Sequence, residues 1–200
     1  MVRIAGTLAA AFACIATDVN AEDLGPVSAA ARNLGISEVR GGPALTNLEL
    51  FYNSLVVPRP DSFDVAKLNG AQFDVLFRSP DLDIFRWLGS PRPSIGGIVN
   101  FSGHESVLHA GLDWHVPLGS SAFYLEGGIG LGIHNGYLED APPPYHNTGC
   151  RVLFHWHYGA GVNLNEHVTL TAEWQHVSSV AICSPNQGIN DLGVTVGWKF

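Results

Sequence analysis

The chain has 200 residues, a formal net charge of −8 and a charged fraction of only 14%. The acidic balance argues against nucleic acid as a partner, and so few charges make a poor soluble surface. No segment is continuously apolar for the roughly 20 residues that a membrane-spanning helix needs, which excludes a helical membrane protein.

In chain order, Met1-Val2-Arg3 leads into an apolar stretch over residues 4–16 and then Val19-Asn20-Ala21. This pattern reads as a secretory signal peptide over residues 1–21, leaving a single domain over residues 22–200. Cys14 sits in a context that fits lipoprotein processing poorly. The remaining cysteines, Cys150 and Cys183, would lie in a compartment that permits disulfides, so one bridge is the natural reading and two unpaired thiols the alternative.

Strands are expected around residues 36–48, 71–77 and 95–101, with residues 79–93 as a longer excursion between two of them. Clearer alternation follows. Leu108, Ala110, Leu112, Trp114 and Val116 interleave with His109, Gly111, Asp113 and His115, and Phe123, Leu125, Ile129, Leu131 and Ile133 with Glu126, glycines and His134. The same period of two runs through residues 152–164, through Val168, Leu170, Ala172 and Trp174, and through Leu192, Val194, Val196, Trp198 and Phe200.

Such strands could form a soluble sandwich with the apolar face as its core. Their length, a polar face of His, Glu, Asp and Gly suited to a narrow lumen, and the aromatic C-terminal residue favour a membrane barrel instead. The expected fold class is all-β, an eight-stranded antiparallel transmembrane β-barrel in the cell outer membrane. Lipid tolerates no open sheet edge, so the strands must close. With Phe200 at the periplasmic end, residues 179–188 form an extracellular loop, and a Cys150–Cys183 bridge would tie two neighbouring outer connections.

His176 and Ser178 continue the even-numbered apolar face of their strand and should point outward near its outer end. Polar residues on a lipid-facing surface are costly unless they sit near an interface or do a job. Cα atoms two apart in a strand are about 6.5 to 7 Å apart, so the imidazole can reach the hydroxyl. A base beside a hydroxyl is half of a nucleophilic pair.

The segments Gly149-Cys150-Arg151-Val152-Leu153-Phe154, Glu173-Trp174-Gln175-His176-Val177-Ser178-Ser179 and Pro185-Asn186-Gln187-Gly188-Ile189-Asn190, with the final strand, resemble the PagL-type lipid A 3-O-deacylases. Fainter echoes occur at residues 89–93 and at His134-Asn135-Gly136. The resemblance implies an outer-membrane esterase that removes the 3-O-linked 3-hydroxyacyl chain of lipid A, with His176 as general base and Ser178 as nucleophile. It further implies Asn186 as an oxyanion donor, together with backbone N–H groups. Lipopolysaccharide in the outer leaflet would be the substrate, the barrel assembly machinery a partner during biogenesis, and no cofactor is implied.

Two departures stand out: Ser179 replaces the family's usual Asn, and Asn190 stands where an acid normally orients the histidine. By parity Asn190 faces outward beside His176, whereas Asp191 faces the lumen and could serve as the orienting acid only through a bulge. A non-catalytic structural or adhesive barrel with a decayed site is the main alternative, and a phospholipase a further one. His155-x-His157 with His109, His115 and His134 could suggest zinc, but no Cys or carboxylate completes a ligand spacing, so lumen packing is the simpler reading and no metal is expected. Trp114, Trp156 and Trp198 read as interfacial girdle residues.

Overall fold

The computed structural model describes residues 25–50 and 58–200. The expected signal peptide and its cleavage point lie outside the described residues. A helix, α1 (Gly25–Asn33), leads through Gly35, which has a positive φ of 74°, into the first strand. The strands are β1 (Ile36–Leu45), β2 (Leu68–Phe77), β3 (Arg92–Asn100), β4 (Val107–Pro117), β5 (Phe123–His134), β6 (Val152–Asn163), β7 (Val168–Ser178) and β8 (Ile189–Lys199). Each pairs antiparallel with its sequence neighbour, and β1 pairs with β8 to close the barrel.

The eight expected strands are therefore present. The first ends at Leu45 rather than continuing to residue 48. The longer excursion after β2 contains a short helix, α2 (Asp83–Trp87). Among the described residues no helix is long and apolar enough to cross a membrane, so any crossing is made by strands.

The end that holds Phe200, whose N–H donates to the Ser37 carbonyl, carries the short β4–β5 and β6–β7 turns and the longer excursion with α2. The β6–β7 turn is set by its own sequence, because the Asn165 side chain accepts from the N–H groups of His167 (2.8 Å) and Val168 (2.7 Å). The opposite end carries residues 46–50, 58–67, 101–106, 135–151 and 179–188. Two connections at this opposite end, residues 135–151 and 179–188, are long, as the extracellular loops of outer-membrane barrels are.

Strand alternation sorts side chains as expected. Thr169, Thr171, Glu173 and Gln175 of β7 are buried in the lumen, while Leu125, Ile129, Leu131, Ile133 and Phe154 are exposed on the outside. The lumen is filled rather than open. Arg40 donates to Glu126 (2.6 and 2.9 Å) and to Glu38 (2.9 and 3.2 Å), and Arg92 and Thr169 complete the Glu38 carboxylate. Higher in the barrel Gln72 bridges Asp74 and Glu173, the His109 and His155 rings stack at 4.0 Å, and His157 lies 2.8 Å from Asp113. Gly128 makes room for this column, since a Cβ there would collide with the His157 ring. The lumen-packing reading of these histidines matches the geometry. Among the described residues no three His, Cys, Asp or Glu side chains are grouped to hold a metal ion.

Candidate active site

His176 and Ser178 occupy the last turn of pleat at the outer end of β7, and Asn190 is the second residue of β8. The β7–β8 register sets His176 directly opposite Asn190, so the two side chains share the outward face. His176 Nδ1 and Asn190 Oδ1 are 2.6 Å apart, and both residues are buried at 5% and 6% exposure. The burial continues that of Trp174 on the same face of β7, while Ala172 between Leu170 and Trp174 is exposed.

The amide orientation of Asn190 follows from its other contact. Its Nδ2 donates to the Leu48 carbonyl at 3.2 Å, and a carbonyl can only accept. Oδ1 must then face the ring, and because Oδ1 accepts only, His176 Nδ1 carries the proton. Neutral His176 is thus held with an unprotonated Nε2, the form a general base requires. Leu48 is fixed in turn by its own N–H, which donates to the Asn190 carbonyl at 2.8 Å. The chain beyond β1 therefore continues alongside the start of β8, although its regular strand has ended.

Asp191 lies elsewhere. It is 3% exposed on the lumen side, and its carboxylate accepts from the Asn47 N–H at 3.0 Å. No bulge at the start of β8 turns it towards His176.

On its remaining sides the imidazole meets the Trp156 ring, its cross-strand partner on β6, at 5.0 Å and 38°. It also meets the backbone at Gly188, where an added Cβ would come within 2.6 Å of Cε1. Trp156 is thus more than a girdle residue. Trp114, which bonds the Leu88 carbonyl, and Trp198, stacked on His167, stand nearer the turns at the Phe200 end. The Ser178 hydroxyl makes no hydrogen bond among the described residues, and Phe154 of β6 lies opposite it in the register.

The loop over residues 179–188 is tightly tied. Asn186 Oδ1 accepts from the Ser179 N–H at 2.8 Å, so that amide is not free to bind an oxyanion, whereas exposed Asn186 keeps its own Nδ2 as a donor. Ser179 Oγ donates to the Cys183 carbonyl at 3.1 Å. A disulfide joins Cys150 at the foot of β6 to Cys183, with Cα atoms 5.9 Å apart. Asn147 and Gln187 exchange hydrogen bonds at 2.6 and 2.8 Å, adding a second tie between the two outer loops. At the same rim, burial pushes the Glu105 carboxyl up, but hydrogen bonds from the His146 ring and N–H outweigh it and hold the pKa at about 2.

A sequence profile described as lipid A 3-O-deacylase (PagL) matches residues 72–199, more than half of the chain. The chain belongs to the PagL family. The match contains His176, Ser178, Asn186, Asn190, Asp191 and both bridged cysteines, and leaves Leu48 outside. With fold and family together, the protein is an outer-membrane β-barrel. The comparison with curated proteins yields no match.

Among solved structures, the outer membrane enzyme PagL superimposes with a TM-score of 0.55 at 14% identity, covering 82% of this chain and 100% of that one. A de novo designed transmembrane β-barrel follows with a TM-score of 0.45 at 10% identity, covering 83% and 96%. The Yersinia pestis outer membrane protein Ail gives 0.43 at 13% identity, covering 83% and 99%. The first likeness bears on the fold, not on the site.

Proposed function

We propose that this PagL-family barrel removes the 3-O-linked 3-hydroxyacyl chain of lipid A by nucleophilic catalysis, with Ser178 as nucleophile, His176 as base and Asn190 as the group that orients the base. The observation that carries the reading is the His176–Asn190 bond on the outer face, with its tautomer fixed by the Leu48 carbonyl. An outward nucleophile suits a substrate that lies in the outer leaflet and could not serve one inside the filled lumen.

In this mechanism Ser178 Oγ attacks the ester carbonyl while His176 Nε2 takes its proton. The carbonyl oxygen becomes an oxyanion, for which Asn186 Nδ2 is a donor within the same loop. Collapse breaks the ester C–O bond, the imidazolium gives its proton to the departing oxygen so that lipid A leaves with a free hydroxyl, and an acyl-enzyme remains on Ser178. Water, activated by the same histidine, then releases the 3-hydroxy fatty acid and restores the serine. The serine rotates onto Nε2 when substrate arrives, since catalytic hydrogen bonds commonly tighten only in the bound complex. Asn190 fixes geometry but offers no full negative charge to the imidazolium, so turnover is slower than with a carboxylate.

Mass spectrometry of lipid A from cells expressing wild type or Ser178→Ala tests the proposal. It expects loss of one 3-hydroxyacyl chain with wild type alone. Identical spectra would instead support a structural barrel whose site has decayed at Asn190.

A further inference from the structure

Among the described residues no negative charge meets His176 to steady an imidazolium, yet the ring is buried on a lipid-facing surface. A cation formed there without a partner would be costly to desolvate. The described groups that meet the ring are Trp156 of β6, Asn190 of β8 and Gly188 of the outer loop, with Leu48 beyond β1 bonded to the far side of the Asn190 amide. The ionisable groups nearby do not meet it. His155, His157 and Asp191 project into the lumen, and Glu49 at the rim is paired with Arg59 at 2.7 Å. What does meet the ring is an aromatic face. The Trp156 and His176 ring centroids lie 5.0 Å apart, and the indole also stacks with Tyr158 at 5.9 Å and 14°.

We propose that Trp156 is a positioning residue that clamps His176 against the Gly188 backbone and steadies its imidazolium through the negative face of the indole. This rests on the reading of His176 as the base. A cation within about 6 Å of a tryptophan centroid is attracted by the ring quadrupole, most strongly where water is excluded. The register gives the contact its permanence, because Trp156 and His176 are directly opposed on neighbouring strands and cannot drift apart without a shift of the whole ladder. Where a carboxylate would stabilise the cation by charge, this chain has an amide for geometry and an indole for electrostatics.

The test is a histidine titration by NMR on the full-length barrel in lipid nanodiscs, with wild type, Trp156→Phe and Trp156→Leu. His176 is assigned by its loss in His176→Gln, and barrel folding is checked by electrophoretic mobility before and after heating. Removing the indole face withdraws support from the protonated form, so the His176 midpoint falls. The expected drop is about one half to one pH unit for Leu and less for Phe, whose ring retains part of the quadrupole. The acid limb of the deacylation rate should move the same way. An unmoved midpoint in folded Trp156→Leu overturns the inference, as does an equal drop for Phe and Leu. Failure of the enzymatic reading shows separately, as absence of any Ser178-dependent deacylation with the titration shift still present.

Discussion

The lumen and the outer face of this barrel both hold buried polar side chains, but they hold them differently. Around Arg40 each charge meets its opposite, two carboxylates on one guanidinium, with Arg92 and Thr169 filling the remaining positions. Among the described residues, His176 meets no opposing charge and makes one neutral hydrogen bond, and the neighbouring Ser178 hydroxyl has no partner. A complete charge network has nothing left to offer a substrate and serves folding. An incomplete one on the membrane side leaves a ring nitrogen and a hydroxyl uncommitted, and on the proposed function that asymmetry is what separates scaffold from chemistry.

The comparison breaks most sharply at Ser178. Ser178→Ala should lower deacylation at least about a thousandfold while leaving unfolding by denaturant unchanged. Arg40→Ala should do the reverse. It strips Glu126 of its hydrogen bonds, leaves Glu38 to Arg92 and Thr169, and costs about 3 to 5 kcal/mol of stability, read from denaturant midpoints in detergent, with modest loss of rate in the fraction that stays folded. An Arg40 variant that kept stability but lost activity would erase the distinction.

Gly188→Ala comes next. Its Cβ would push the imidazole from its seat, and a displacement of that kind can cost about a hundredfold in rate with little effect on the lumen network. Asn190→Asp works in the other direction: it adds the missing charge but sets an acceptor oxygen against the Leu48 carbonyl, so the rate rises by only about a few fold, whereas Asp191→Asn should leave catalysis near wild type. The smallest effect is expected at the rim. Glu105 has a depressed pKa of about 2, so its contribution to holding the outer loops is complete above the ordinary carboxylate range and is lost only as pH falls towards that value. Loop protection from protease should therefore stay flat through neutral pH and weaken in Glu105→Gln.

Much of this was legible in the sequence, because a period of two allows no ambiguity about faces once the barrel is accepted. Parity alone placed Asn190 beside His176 and Asp191 in the lumen, and the ladder agrees. The groups that complete the site were not legible. Leu48 acts through a backbone carbonyl across 142 residues of chain, and a carbonyl leaves no mark on side-chain pattern. Trp156 reads as a girdle residue because its distinguishing feature is the β6–β7 register, which alternation does not fix. Likewise the Ser179 N–H is bound to Asn186 through loop geometry that composition does not encode.

The central claim is that Ser178 is a nucleophile activated by His176 on the membrane side of the barrel. Peptide mapping by mass spectrometry after reaction with a long-chain fluorophosphonate tests it most directly. Labelling is expected on Ser178 in wild type, and should fall by orders of magnitude in His176→Ala. An unlabelled Ser178, or one labelled equally without the histidine, would contradict the account.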